Sequence, residues 1–276
     1  MPTFHQEIYD LRPWYHDFQK LGLQTNFADR QLSLSERITR VFKMLLTLRP
    51  RQILGTRLEK REIYALLEAF SPNKPGHFSN QPAKEGVLTP YIERCLANLG
   101  DSPRCLDLFC ADGYYACMVA QQHPQAQVSG IDLATMEIRR AETAARFLRL
   151  PNVTFVVGDA WKLFQGPHHY DLILCAGGLY HLEEPRRFVK LLRRITSGYL
   201  VIQSVVTLET DDPDYFVTPA PGLRHGSRFT QAALEKWLTE AGWEILGQAQ
   251  NELPGNRLAR DRGSCYFLCQ PASRQA

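Results

Sequence analysis

Three aspartates lie where short apolar runs of the sequence end: Asp107, Asp132 and Asp159. If these runs are parallel strands of one sheet, their carboxyl ends meet at the edge where such sheets bind ligands. Asp132 follows Gly113 by about 20 residues, the spacing at which a βαβ unit places a carboxylate on ribose hydroxyls. Asp159 is placed to accept a hydrogen bond from an adenine amino group. The three strand ends therefore predict one adenosine-shaped site.

The turn after the first run indicates which adenosine ligand fits. It reads Asp107-Leu-Phe-Cys-Ala-Asp-Gly113 and leads into a helical pattern at Tyr114, whose first N–H groups would face a ligand. Phe109 and Ala111 stand where a G-x-G-x-x-G motif has glycines, and only Gly113 is kept. Bulk at these positions leaves little room for a pyrophosphate. The turn favours a ligand without phosphates and argues against a nicotinamide reductase.

Residues from about 103 to 269 resemble the class I S-adenosylmethionine (SAM) dependent methyltransferases, whose motif D-x-G-x-G-x-G corresponds to the turn quoted above. Within this run, Gly177-Gly-Leu-Tyr-His-Leu-Glu-Glu-Pro185 and Leu200-Val-Ile-Gln-Ser-Val-Val206 resemble one branch of that family. The branch contains the tRNA wobble-uridine carboxymethyltransferases and their small-molecule relatives. The resemblance implies SAM as the cofactor.

The resemblance also implies roles along the site. The turn would lie near the methionine part of SAM, Asp132 on the ribose, Asp159 and its neighbours around the adenine, and the end of the fourth strand beneath the sulfonium. The predicted cofactor-binding residues are Asp107, Phe109, Ala111, Asp112, Gly113, Asp132, Leu133, Asp159, Ala160, Trp161, Cys175 and Ala176.

The acceptor side is predicted from position along the sheet. His181, with Tyr180 beside it, follows the fourth strand at the ligand edge, and we expect it to act as a base or to position the acceptor. The alternative is a histidine that only caps the next helix. His225 and Arg228 lie in a loop at the same edge and are candidates for binding a carboxylate or phosphate of the acceptor. Tyr15 and His16 would reach the site only if the N-terminal segment folds over it.

The elements that must position these residues alternate between strand and helix, which predicts a mostly parallel sheet covered on both faces. The end of the chain differs, because two strands joined by a polar loop predict an antiparallel hairpin. The expected fold is α/β, a Rossmann-like class I methyltransferase fold with a seven-stranded sheet. Its predicted strands are 104–109, 127–131, 153–157, 170–175, 199–206, 243–250 and 264–270, and its predicted helices are 114–122, 134–148, 184–195 and 230–241.

Residues 1–82 are predicted to form a helical N-terminal extension, and residues 83–276 the SAM-binding domain. The first 30 residues are rich in aromatic side chains and irregular in pattern, which fits either a lid over the cofactor or a hydrophobic strap on the outside of the domain. A capping box at Ser33 and Glu36 precedes one amphipathic helix. Residues 57–70 form a second such pattern, 71–82 a turn-rich connector and 88–99 a third helix.

Composition narrows the class of protein. The chain has 276 residues, 44% of them hydrophobic and 22% charged, which is ordinary for a globular protein. No apolar run approaches the roughly 20 residues of a membrane span. The N-terminus lacks a secretory pattern, so we expect a cytoplasmic protein. The seven cysteines lie mostly in apolar patterns, which predicts reduced core thiols and no metal site.

The function that these observations favour is methyl transfer from SAM to an oxygen or nitrogen of a small-molecule acceptor. A tRNA wobble-uridine-type methyltransferase is the alternative. It is favoured by eight Lys and Arg against three Glu in residues 36–62, although a net charge of +3 is too small to indicate nucleic-acid binding by itself. A non-catalytic SAM-binding module is the third possibility.

Overall fold

The computed structural model describes residues 4–26 and 76–273, with side chains from 6 to 26 and from 78 to 273. A seven-stranded sheet forms the centre, in the order β3-β2-β1-β4-β5-β7-β6. The first five strands are parallel, and β7 runs antiparallel to both of its neighbours. The strands are β1 Arg104–Leu108, β2 Gln127–Asp132, β3 Val153–Val157, β4 Tyr170–Ala176, β5 Thr196–Val206, β6 Trp243–Glu252 and β7 Gly263–Pro271.

Helices cover the sheet. In the described residues these are α1 Phe4–Asp10, α2 Gly76–Leu96, α3 Tyr114–Gln122, α4 Thr135–Phe147, α5 Pro185–Ile195, α6 Gln231–Glu240 and α7 Ala259–Arg262. Short 3-10 turns lie at Gln19–Leu21, Ala160–Gln165 and Leu179–His181, and a two-stranded ribbon pairs Phe216–Val217 with Arg228–Phe229. None of the helices in these ranges is both long and apolar enough to cross a membrane.

The predicted architecture is confirmed. Strands and helices alternate as the sequence predicts, and the two last strands form the antiparallel pair, with β7 inserted between β5 and β6. Strands β4, β5 and β7 are almost wholly buried because both faces of the sheet are covered. Their alternate side chains feed two hydrophobic clusters, for example Leu172 and Leu174 on one side and Ile173 and Cys175 on the other.

Helix α2 corrects the prediction of a turn-rich connector at 71–82 for residues 76–82, and residues 71–75 lie outside the described residues. The helix begins at Gly76 and passes through Pro82 and Pro90 to Leu96, so the predicted helix 88–99 is only its second half. Side-chain bonds to distant segments stabilise its first turns: Asp17 N–H donates to Gln81 Oε1 at 2.7 Å, and Gly255 N–H donates to Asn80 Oδ1 at 2.7 Å.

Residue 82, the predicted boundary between extension and domain, therefore lies inside a continuous helix, and the division of the chain stays a prediction. The capping box, the two amphipathic patterns before residue 71 and the basic segment 36–62 lie outside the described residues.

The N-terminal segment is more ordered than its irregular pattern predicts. Helix α1 opens it, and Trp14 and Phe18 then insert into the core, 3% and 0% exposed. The Phe18 ring meets Tyr114, the first residue of α3, edge-to-face at 5.2 Å. This packing fixes residues 13–18 against the start of α3, at the carboxyl end of β1.

Candidate active site

A cavity of about 470 Å³ lies at the carboxyl ends of β1, β2 and β4, a size typical of small-ligand sites. Strand ends form its floor, residues 13–16 form one wall, and helix α2 and the turn after β4 form another. It is lined by Pro13, Trp14, Tyr15, His16, Lys84, Asp107, Phe109, Cys110, Ala111, Tyr115, Asp132, Leu133, Glu137, Ala176, Gly177, Tyr180, His181 and Leu182.

The turn after β1 has backbone angles typical of glycine at two positions that carry side chains. Phe109 and Ala111 have φ of 58° and 47°, the left-handed region that costs a side-chain-bearing residue roughly 1–2 kcal/mol. Gly113 also has positive φ, and a β-carbon there would lie 2.7 Å from both Ala141 and Phe155. Gly113 is therefore required for close packing beneath the turn, and it does not line the cavity.

Asp132 joins this turn to β2. Its carboxylate accepts hydrogen bonds from Ala111 N–H at 3.1 Å and Ala134 N–H at 2.8 Å. Burial raises the pKa of Asp132, and the backbone donors offset part of that rise. The backbone N–H groups of residues 111, 133 and 134 use part of the carboxylate's roughly four acceptor positions, and the rest is available to hydroxyl donors of a ligand.

Asp107 is the most deeply buried acid of the cavity. It is 2% exposed and accepts one hydrogen bond, from Ala116 N–H at 3.1 Å. Desolvation, and then the negative charges of Asp132 and Asp112, raise the pKa of Asp107 to about 8. The free protein therefore holds much of this carboxyl protonated at neutral pH, and a positive charge placed beside it would favour the carboxylate.

Asp112 attaches the N-terminal wall. Its fully buried carboxylate accepts from Tyr15 N–H at 2.8 Å and His16 N–H at 2.7 Å, and it lies 2.6 Å from Nδ1 of His16. The His16 ring also stacks on Tyr114 at 5.1 Å. Asp112 was predicted to contact the cofactor, but its oxygens are directed to residues 15 and 16. This side chain holds the wall of the site and does not line the cavity.

Tyr180 and His181 lie on the 3-10 turn after β4, with ring centroids 4.1 Å apart. His181 is accessible at the mouth of the cavity, yet desolvation and the positive charges of Arg228 and Lys84 lower its pKa to about 4. Its imidazole is therefore neutral at pH 7. Desolvation and the neighbouring Tyr15 raise the pKa of Tyr180 to about 12, so it remains a hydroxyl donor.

Lys84 is a cavity residue that the sequence did not indicate. It lies in α2, only 6% exposed, with Nζ 5.7 Å from the centre of the Tyr15 ring. Burial lowers its pKa. Tyr115 and Glu137 line the cavity from α3 and α4 and were also missed. Whether a helical residue faces the cavity depends on how its helix is rotated against the sheet. No motif in the sequence indicates that orientation.

Several predicted residues lie outside the cavity lining. Asp159 caps the following 3-10 turn through Trp161 N–H at 3.0 Å, and Arg228 is paired with Asp261 at 2.6 Å. His225 is exposed and lies 3.5 Å from Glu183. Their predicted roles stay predictions. The full set outside the lining is Asp112, Gly113, Asp159, Ala160, Trp161, Cys175, His225 and Arg228.

Comparison with known proteins decides the family. A family model described as a methyltransferase domain matches residues 82–248, more than half of the chain. The chain belongs to this family. Its cofactor is S-adenosyl-L-methionine.

Individual relatives of this methyltransferase are distant. A malonyl-acyl-carrier protein O-methyltransferase from Paenibacillus sp. (strain JDR-2) is 26% identical over 166 residues, 56% of this chain and 60% of that protein. A tRNA U34 carboxymethyltransferase from Wolinella succinogenes is 24% identical over 201 residues, 67% of this chain and 69% of that protein. The chain thus spans only 60% and 69% of the lengths of these two relatives.

Among solved structures, magnesium protoporphyrin IX methyltransferase from Synechocystis PCC 6803 with bound SAM has the same fold. The TM-score is 0.53 at 17% identity, covering 89% of this chain and all of the other.

The cavity suits the charge of this cofactor. Three acids line it, Asp107, Asp132 and Glu137, and a sulfonium or an ammonium group stabilises the charged form of a buried carboxylate. The remaining acceptor positions of Asp132 are available to ribose hydroxyls. When bound, SAM supplies an electrophilic methyl group on a positively charged sulfur.

Proposed function

We propose that this protein transfers a methyl group from SAM to a small-molecule acceptor, at an oxygen or nitrogen atom. The observation that carries this proposal is the wall formed by residues 13–16. Tyr15 and His16 are tied to the buried Asp112 and line the cavity together with Tyr180 and His181. This arrangement supports an enclosed acceptor site lined by aromatic and polar side chains.

In this proposal the protein's main task is alignment. Displacement at a methyl group requires a nucleophile in line with the breaking bond, and excluding water protects the electrophile. The wall at residues 13–16 and the Tyr180–His181 turn hold the acceptor between them.

His181, neutral at pH 7, accepts a hydrogen bond from the acceptor's O–H or N–H and so orients its lone pair. With a pKa of about 4 it is a weak base. Orientation is therefore its larger contribution, and an acidic acceptor suits this site best.

A labelled-methyl assay tests the proposal. The full chain is incubated with methyl-labelled SAM and, in parallel, a metabolite extract or total tRNA. Labelled small molecules are the expected result, and label incorporated only into tRNA would refute the small-molecule assignment. SAM binding without turnover on either pool would instead favour the non-catalytic module.

The tRNA function is the second candidate, favoured by the relative named tRNA U34 carboxymethyltransferase and by the basic segment 36–62. It predicts tRNA binding that weakens steeply with salt. Reversing the charges of Arg37, Arg40 and Lys43 would then abolish tRNA binding, while reversing the charges of Arg186 and Lys190 on α5 provides a matched control. Binding that is insensitive to salt would argue against this candidate.

A further inference from the structure

Lys84 is a buried lysine that has no acidic partner in the described part of the chain. It is 6% exposed, and none of the ion pairs among the described residues includes it. Its sequence neighbour Glu85 is bonded instead to Lys20 and Gln81. Buried charges in proteins are normally paired or hydrogen-bonded, because desolvation without compensation costs several kcal/mol.

The surroundings of the ammonium keep space open for a ligand. Lys84 lines the cavity, and the neighbouring Gly177 has φ of +88°. A β-carbon on Gly177 would lie 3.6 Å from Nζ of Lys84 and 3.7 Å from Oε1 of Gln203. A side chain at position 177 would therefore occupy the space in front of the ammonium.

Two further buried polar groups lack partners within the described residues, one in the cavity lining and one beside Gly177. The hydroxyl of Tyr115, a cavity residue, is buried without a hydrogen bond, and so is Oε1 of the fully buried Gln203. The other end of the Gln203 amide is 2.8 Å from Oγ of Ser264. Since a hydroxyl donates or accepts equally well, the amide can turn its NH₂ group towards Gly177. Lys84 and Gln203 then present donors beside Gly177, and Tyr115 offers another donor from the cavity lining.

We propose that Lys84 is the receptor for a ligand carboxylate in this cavity. The proposal rests on the proposed methyltransferase function and adds the class of group that the site selects. A carboxylate is present on the amino-acid end of SAM, and an acceptor can carry another. Either one gives Lys84 a counter-charge and a charge-assisted hydrogen bond.

Calorimetry with two ligands identifies the source of the carboxylate. S-adenosylhomocysteine carries the amino-acid carboxylate, whereas 5′-methylthioadenosine lacks the amino-acid end. If Lys84 binds the cofactor's carboxylate, Lys84→Met weakens S-adenosylhomocysteine roughly 10- to 100-fold and leaves methylthioadenosine unchanged. If Lys84 binds the acceptor, both ligands bind Lys84→Met as they bind the wild type. In that case benzoate binds the wild type loaded with S-adenosylhomocysteine more tightly than it binds the loaded Lys84→Met variant. Benzoate also binds the loaded wild type more tightly than benzamide does.

Lys190→Met, which removes the same charge from the exposed face of α5, is the matched control and should bind every ligand as the wild type does. Lys84→Gln is a second neutral variant if the methionine disturbs folding. The role of Lys84 is overturned if the wild type and both neutral variants bind S-adenosylhomocysteine equally well and also bind benzoate equally well. Failure of the wild type to bind S-adenosylhomocysteine at all would instead refute the proposed function.

Discussion

We expect Asp107 to make SAM binding dependent on pH. Its pKa of about 8 means that the free protein holds the carboxyl mostly protonated at pH 6. A cation binds the carboxylate form preferentially, so binding must release a proton. The ionised fraction is about 1% at pH 6 and about half at pH 8. SAM affinity that depends on the carboxylate therefore rises about 50-fold between these values.

Calorimetry at pH 6 and pH 8, in two buffers of different ionisation enthalpy, measures both the affinity and the released proton. Asp107→Asn is the control, because it keeps an oxygen for Ala116 N–H and removes the titration. Asp132 also has a raised pKa, and its contribution remains in the variant. The difference between the two proteins therefore isolates Asp107. Equal pH dependence in wild type and variant would refute the reasoning.

The raised pKa of Asp107 also makes the free energy of unfolding depend on pH. Stability should fall as pH rises, whereas SAM affinity should rise. The native state holds the Asp107 proton more tightly than the unfolded chain, whose carboxyl has a pKa near 3.8. The free energy of unfolding should therefore fall as pH rises from about 4 to 8, with the full effect reached above pH 8. Urea titrations across this range should show a shallower fall for Asp107→Asn. An identical slope would count against a raised pKa.

Four further predictions follow from individual residues. Asp112→Ala should lower the free energy of unfolding by roughly 3 kcal/mol, because the buried N–H donors of residues 15 and 16 lose a charged acceptor. Unchanged stability in urea, or unchanged hydrogen exchange at these two amides, would contradict this prediction. Ala111→Gly should stabilise the protein by about 0.5–1 kcal/mol because φ is +47°, and a measured loss would show that the turn is unstrained. His181→Ala should lower methyl transfer with little change in SAM affinity, whereas Asp132→Ala should weaken SAM roughly 10-fold or more through lost hydrogen bonds. Asp132→Asn, which keeps one acceptor oxygen, is the control for Asp132→Ala. Loss of SAM binding in His181→Ala would overturn the acceptor-side role of His181.

The strand framework was predictable because its signals are local. Continuous apolar runs such as Leu200–Val206 indicate strands buried on both faces. The chain direction then places Asp107, Asp132 and His181 at one edge of the sheet. That rule needs only the order of strands and helices, so it identified much of the cavity floor correctly.

Helix α2 was not predictable from local signals. Gly76, Pro82 and Pro90 indicate breaks, and an internal proline costs a helix about 3 kcal/mol. The compensating contacts come from Asp17 and Gly255, which lie far away in the sequence. Because this helix was missed, Lys84 was missed with it.

The partners of Asp112 were hidden for a similar reason. They lie 97 and 96 residues earlier in the chain, and an aspartate in a predicted ligand turn was naturally assigned to the ligand. A sequence motif specifies the turn and says nothing of a distant segment that uses the same carboxylate.

The position of β7 determines when this sheet can be completed. Among the described strands it is synthesised last, yet it pairs with β5 on one side and β6 on the other. Until residues 263–271 emerge, β5 has an open edge of unpaired backbone groups and β6 has no strand to join, a situation that invites pairing with other chains. A chain that ends before residue 263 should therefore associate with other chains through the open edge of β5.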